Sequence, residues 1–106
     1  MKKAIVATSW DDGDKKDLRL AELLKKYKLK ATFYVPQKID FCFGVEHLVR
    51  LSDQEIKTLA NDFEIGAHSL SHVYFDQLND EQIKNEIIGS KKWLETLLNK
   101  PVEVFA

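Results

Sequence analysis

Residues 4–9, AIVATS, are a short apolar run that stops at a cluster of charge, and a run of this kind predicts a strand buried on both faces. Leu20, Leu23, Leu24 and Tyr27 then recur at i, i+3, i+4 and i+7 with Lys and Glu between them, which predicts an amphipathic helix over 15–28. ATFYV at 31–35 is β-branched and aromatic and ends at Pro36, so a second strand follows the helix. Residues 36–50 keep no period, and a stretch of that length inside a small domain reads as a functional or partly ordered loop. The pattern resumes at Leu51. Ser52 and Glu55 have the spacing of a capping box, Leu51 and Ile56 that of a hydrophobic staple, and the helix they open should end near Asn61. FEIGA at 63–67 is a third strand, with His68 at its carboxyl end. A long helix follows, capped by Asn79 and stapled by Leu78 against Ile83. Its apolar side carries Ile83, Ile87, Trp93, Leu94, Leu97 and Leu98 to about Asn99. Gly89 in its middle costs about 1 kcal/mol relative to Ala. PVEVFA at 101–106 opens a fourth strand.

The order β-α-β-loop-α-β-α-β predicts an α/β fold with a mostly parallel sheet and right-handed crossovers. In such folds the active groups collect at the carboxyl ends of the strands, where Asp11, Asp12 and His68 fall. At 106 residues the chain is one domain, able to bury roughly two thirds of the surface its unfolded form exposes. Sixteen Lys and Arg stand against seventeen Asp and Glu, and a net charge of -1 gives no electrostatic reason to expect nucleic acid or an anionic membrane as a partner. No apolar run approaches a membrane span. The apolar part of MKKAIVA ends at Ala7 before the acidic pair, so it reads as a first strand and not an export signal, and the expected location is cytoplasmic. Cys42 is the only cysteine, which excludes an internal disulfide and fits a reducing compartment.

His68 and His72, four apart in HSLSH, are the candidate pair of metal ligands. Zinc commonly takes two imidazoles and one carboxylate and keeps a position for water. Asp11 or Asp12 would supply that carboxylate, and the other would accept a proton from the attacking water. Ser69 and Ser71 are candidates for supporting contacts. Each motif alone has a plainer reading: Asp-Asp-Gly is a common turn, Gly13 being free to take positive φ, and a spaced His pair is often structural. Their placement on two strand ends favours the metal site. His47, in the unperiodic loop, reads as a surface residue, and Trp10 as a core residue more than a substrate platform. The pairs Lys25-Lys26 and Lys91-Lys92 read as solvated helix faces.

SWDDG at 9–13, DLRLAELLKKYKLKATFYVP after it, and IGAHSLSH together closely resemble the polysaccharide deacetylase family, carbohydrate esterase family four. The resemblance implies divalent-metal hydrolysis, with Zn²⁺ the first candidate, of the acetamide of N-acetylated sugars or of a related C–N bond in a small amide. The family's Thr-Phe-Asp-Asp-Gly appears here as Ser9-Trp10-Asp11-Asp12-Gly13, which implies Asp11 as catalytic base and Asp12 as metal ligand. Its His-(Ser/Thr)-x-x-His matches His68 to His72, implying that both histidines are ligands. Family domains are longer irregular (β/α) barrels. Their third motif, an Arg or Tyr with Pro and Gly, would begin where this sequence stops, and the later motifs, including the His that protonates the leaving amine, are absent. The expectation is therefore the amino-terminal half of such a barrel, with four parallel strands, three helices and an open face through which the chain forms a homo-oligomer. The alternative is a catalytically inactive half-domain that binds a metal, a sugar or another protein.

Overall fold

Ala31, Phe33 and Val35 alternate along β2 (Lys30–Val35) and are buried, the last two completely, so this strand takes the centre of the sheet. The structure, a computed structural model, describes residues 2–40 and 48–106. β1 (Ala7–Trp10) and β3 (Glu64–Ala67) flank β2 in parallel, with Ala7 opposite Lys30 and Thr32 opposite Glu64. α1 (Asp17–Lys26) connects β1 to β2, α2 (Asp53–Leu59) lies between β2 and β3, and α3 (Asp80–Leu98) follows β3. The protein thus has the alternating α/β order and parallel sheet that the hydrophobic pattern predicts. Among the described residues no helix is long and apolar enough to cross a membrane. Cys42 and His47 lie outside the described residues.

The core gathers Ala21 and Leu24 from α1, Phe33 and Val35 from β2, Ile56 and Leu59 from α2, Phe63 and Ile65 beside and within β3, and Leu94 from α3. Phe33 and Phe63 meet edge to face with centroids 5.3 Å apart, a favoured aromatic geometry. The expected capping box of α2 forms, and the Asn79 cap of α3 proves to be a second one. Ser52 Oγ accepts from the Glu55 amide while Glu55 Oε2 accepts from the Ser52 amide, and Asn79 and Gln82 exchange the same pair of bonds. α3 ends at Asn99, whose φ of 53° is the left-handed conformation that asparagine tolerates.

Three expectations need correction. The first strand is not buried on both faces: it starts at Ala7, is mostly exposed, and follows the exposed Ile5 and Val6, and among the described residues β1 is the edge of the sheet. The fourth strand only begins. Ala67 N donates to Val104 O and Ala106 N to Ala67 O, giving a single parallel bridge between Ala67 and Phe105 beside a three-stranded sheet. Lys91 is not simply solvated, since its Nζ donates to Val102 O at 2.5 Å and to Glu95 Oε2 at 3.0 Å, tethering that segment to α3.

α1 is also rotated from its expected stripe. Its buried line is Asp17, Ala21 and Leu24, whereas Leu23 and Tyr27 face solvent. Asp17 is thereby carried inside, and its Oδ2 has no hydrogen-bond partner among the described residues. Burial, reinforced by the nearby charges of Asp14 and Asp12, pushes its carboxyl up from 3.8 to about 6.

Two outcomes follow. Leu94 is fully buried, so Leu94→Ala should cost about 2–5 kcal/mol in denaturant unfolding, and Ile87→Ala, on the exposed flank of the same helix, less than half of that. For Asp17 the folded state favours the protonated carboxyl, so its stabilising contribution is full below 3.8 and lost as pH rises through about 6. The thermal midpoint of metal-free Asp17→Asn should therefore gain on that of the wild type as pH is raised from 4 to 7.

Candidate metal centre

Neighbouring strands lie about 4.8 Å apart, so groups at the carboxyl ends of β1 and β3 start roughly 10 Å from one another with β2 between them. The Asp-Asp-Gly turn closes that gap. Asp12 at φ 78° and Gly13 at φ 66° are two successive left-handed residues that fold the chain over the end of β2. A Cβ on Gly13 would stand 3.0 Å from Val35 Cγ1, so glycine serves both the φ angle and the close approach. Residues 49–51 strap the turn from outside: Lys15 N donates to Val49 O at 2.7 Å and Leu51 N to Gly13 O at 2.9 Å. Asp14 Oδ1 accepts from Lys16 N and leads the chain into α1.

On the other side, His68 directly follows β3 and the chain turns sharply back at Ser69 (φ 66°) and His72 (φ 56°). Ser69 Oγ accepts from His72 N at 2.9 Å, which stabilises that turn and brings the two imidazole centroids to 4.9 Å. The intervening backbone is held along both edges. The carbonyls of Ser69, Leu70 and Ser71 accept from the amides of Gln37, Lys38 and Asp40. The amides of Leu70 and Ser71 donate to Glu86 Oε2 at 2.7 and 2.9 Å, and Ser71 Oγ donates to Glu86 Oε1 at 2.6 Å.

The result is a convergence on one atom. Asp12 Oδ1 lies 3.2 Å from His68 Nε2 and 2.9 Å from His72 Nε2, and one ligand atom from each of these three residues falls within 4.8 Å of the others. His68 Nδ1 is 2.6 Å from Ala106 O. A backbone oxygen can only accept, so that nitrogen carries the proton and the Nε2 of a neutral His68 presents a lone pair to a carboxylate oxygen. Two acceptors that close are reconciled by a proton or a cation between them. His72 Nδ1 is buried without a partner among the described residues. Two imidazole nitrogens and one carboxylate oxygen, with side chains 13–29% exposed, form a donor set of the kind that holds a divalent metal ion.

The structure thus brings Asp12, His68 and His72 together. Asp11 is exposed and lies outside the cluster. Trp10 is not a core residue: on the edge strand it is 38% exposed, with Nε1 donating to Thr8 Oγ1. Of the two candidate supporting residues, Ser69 bonds the backbone of His72 and Ser71 bonds Glu86, so the hydroxyls hold the loop and not the ligand side chains themselves. Glu86 was not foreseen, and its only sequence signal is a polar position on α3 between Ile83 and Ile87, which points to no site. Beside the histidines lies an open cavity of about 260 Å³, walled by Val73, Tyr74, Phe75 and Phe105.

The chain is similar in sequence and in fold to known deacetylases. The chain is 31% identical over 100 residues to a peptidoglycan-N-acetylglucosamine deacetylase of Bacillus cereus, covering 92% of this chain and 43% of that protein. Its fold matches Streptococcus pyogenes deacetylase PplD, solved in complex with acetate, at a TM-score of 0.80 and 23% identity, over 98% of this chain and 46% of that one. A family 4 acetyl xylan esterase from Clostridium thermocellum, solved in complex with a cobalt ion, matches at a TM-score of 0.69 and 26% identity, over 96% and 47% of the two chains. The chain therefore spans less than half the length of each of these relatives. The sequence model of the polysaccharide deacetylase family matches residues 1–106, and the chain belongs to that family.

Proposed function

We propose that this chain carries the metal-binding part of a carbohydrate deacetylase site, in which Asp12, His68 and His72 hold a divalent ion, zinc before others, and Asp11 is the general base. The observation that supports it most strongly is the approach of both Nε2 atoms to Asp12 Oδ1. When bound, such an ion acidifies water and polarises the carbonyl of an acetamide. Asp12 and the two imidazoles spend their lone pairs on holding it. Asp11, adjacent in sequence but exposed, offers its carboxylate to the proton of the attacking water. Water adds to the acetamide carbonyl, the C–N bond breaks, and acetate and a free amine result. Protonation of that amine falls to a group outside these four side chains. The substrate class, N-acetylated sugars, is supported by the family and by the name of the Bacillus cereus relative.

We further propose self-association through the open side of the sheet, supported by the uncovered β1 edge and by Ile5 and Val6. Sedimentation should show a dimer or larger, and a species of 12.3 kDa at high concentration would contradict it.

Calorimetric titration of zinc into metal-free protein tests the metal site. The wild type should bind one ion, Asp12→Ala and His68→Ala should abolish binding, and Asp11→Ala should leave it largely intact. No uptake by the wild type, or unchanged uptake by the Asp12 and His68 variants, would reduce Asp-Asp-Gly to a turn.

A further inference from the structure

The loop bearing both histidines is docked on α3 through one carboxylate and one glycine. We propose that Glu86 and Gly89 are positioning residues for the metal pair, setting the separation of His68 and His72 before an ion arrives. The inference rests on the metal-binding reading above and adds to it the part of the fold that preorganises the ligands.

Glu86 is not itself a ligand. Its Oε2 is occupied by the Leu70 and Ser71 amides and its Oε1 by the Ser71 hydroxyl, and it lies outside the cluster of converging ligand atoms. What it holds is the tripeptide between the ligands. That tripeptide begins at Ser69 and is followed by His72, both at positive φ, a conformation that residues with a Cβ seldom keep unless their surroundings impose it. The opposite edge of the same tripeptide is bonded to residues 37–40, so Glu86 completes a two-sided clamp. Without it the Leu70 and Ser71 amides lose a charged acceptor in a part-buried position, and the loop is free to turn toward water.

Gly89 supplies the apolar half of the same contact. A Cβ there would stand 2.5 Å from Leu70 Cδ1 and 3.2 Å from Leu70 Cγ, so Leu70 lies where a side chain at 89 would be. A helix-weakening glycine in the middle of a 19-residue helix is explained by this approach. Glu86 and Gly89, one turn apart on α3, together fix the loop, the first by hydrogen bonds and the second by the shape that receives Leu70.

The test is zinc calorimetry at a temperature where circular dichroism shows each variant folded. Glu86→Ala should weaken binding at least about tenfold, as loss of support to metal ligands usually does. Glu86→Gln should keep most of the affinity, because its amide oxygen can accept from both backbone N–H groups while its NH₂ donates to Ser71 Oγ. Gly89→Leu, which favours helix and leaves Glu86 in place, should also weaken binding at least about tenfold by displacing Leu70. Wild-type affinity in Glu86→Ala or Gly89→Leu, with only the unfolding midpoint lowered, would overturn the proposal and leave the metal site standing. Glu86→Gln as weak as Glu86→Ala would overturn it too. Absence of zinc uptake by the wild type would overturn the metal reading and this inference together. Where Glu86→Ala does not fold, Gly89→Leu decides.

Discussion

A carboxylate that leaves one edge of the sheet has to reach imidazoles that leave the other edge. The crossing of the Asp-Asp-Gly turn over Val35 is the contact on which the site depends, because β2 stands between β1 and β3 and no side chain of aspartate's length spans two strand spacings. Gly13 permits both the left-handed turn and the close packing on Val35, and the hydrogen bonds to residues 49–51 keep the turn down. Asp12 can then face His68 and His72, while Asp11, one residue earlier and aimed differently, stays exposed. Two adjacent acids in one turn thus acquire different surroundings, which is the condition for giving them different chemical roles.

The histidine side meets the same requirement with hydrogen bonds in place of a glycine. Positive φ at Ser69 and His72 is held by the Ser69 hydroxyl, by amides of the segment after β2 and by Glu86 of α3. His68 has an additional anchor, since its Nδ1 meets the backbone oxygen of Ala106 in the segment that begins to pair with β3. That contact sets which imidazole nitrogen faces Asp12. Three separate elements therefore converge on five residues, and the polar groups left over at the centre are the ones that suit a cation.

Much of this was legible in the sequence where the signal is local. The β-branched and aromatic run of β2, the caps at Ser52 and Asn79 and most of the apolar stripe of α3 are set by neighbouring residues and appear within a few positions of where they were expected, although Ile87 of that stripe is exposed. Asp12, His68 and His72 were legible because their types and spacing sit at strand ends and match a known motif. What was not legible depends on partners far along the chain. AIVATS is apolar enough for a buried strand, but its exposure follows from its place at the sheet edge. The same edge leaves Trp10 half outside. Leu23 and Tyr27 fit the helical period as well as Asp17 and Ala21 do, and the way α1 sits on the sheet, not the period, decides which line is buried. Glu86 looks like any solvent-facing acid of α3 until the loop 69–72 is laid against it.

The central claim is that both Nε2 atoms and one Asp12 oxygen share a single ion. Long-range ¹H–¹⁵N NMR of the imidazoles during a zinc titration tests it most directly. The account predicts that the Nε2 signals of His68 and His72 move together and saturate at one equivalent, while His68 Nδ1 keeps its proton. Movement of only one histidine, coordination through His68 Nδ1, or saturation at more than one equivalent would contradict it.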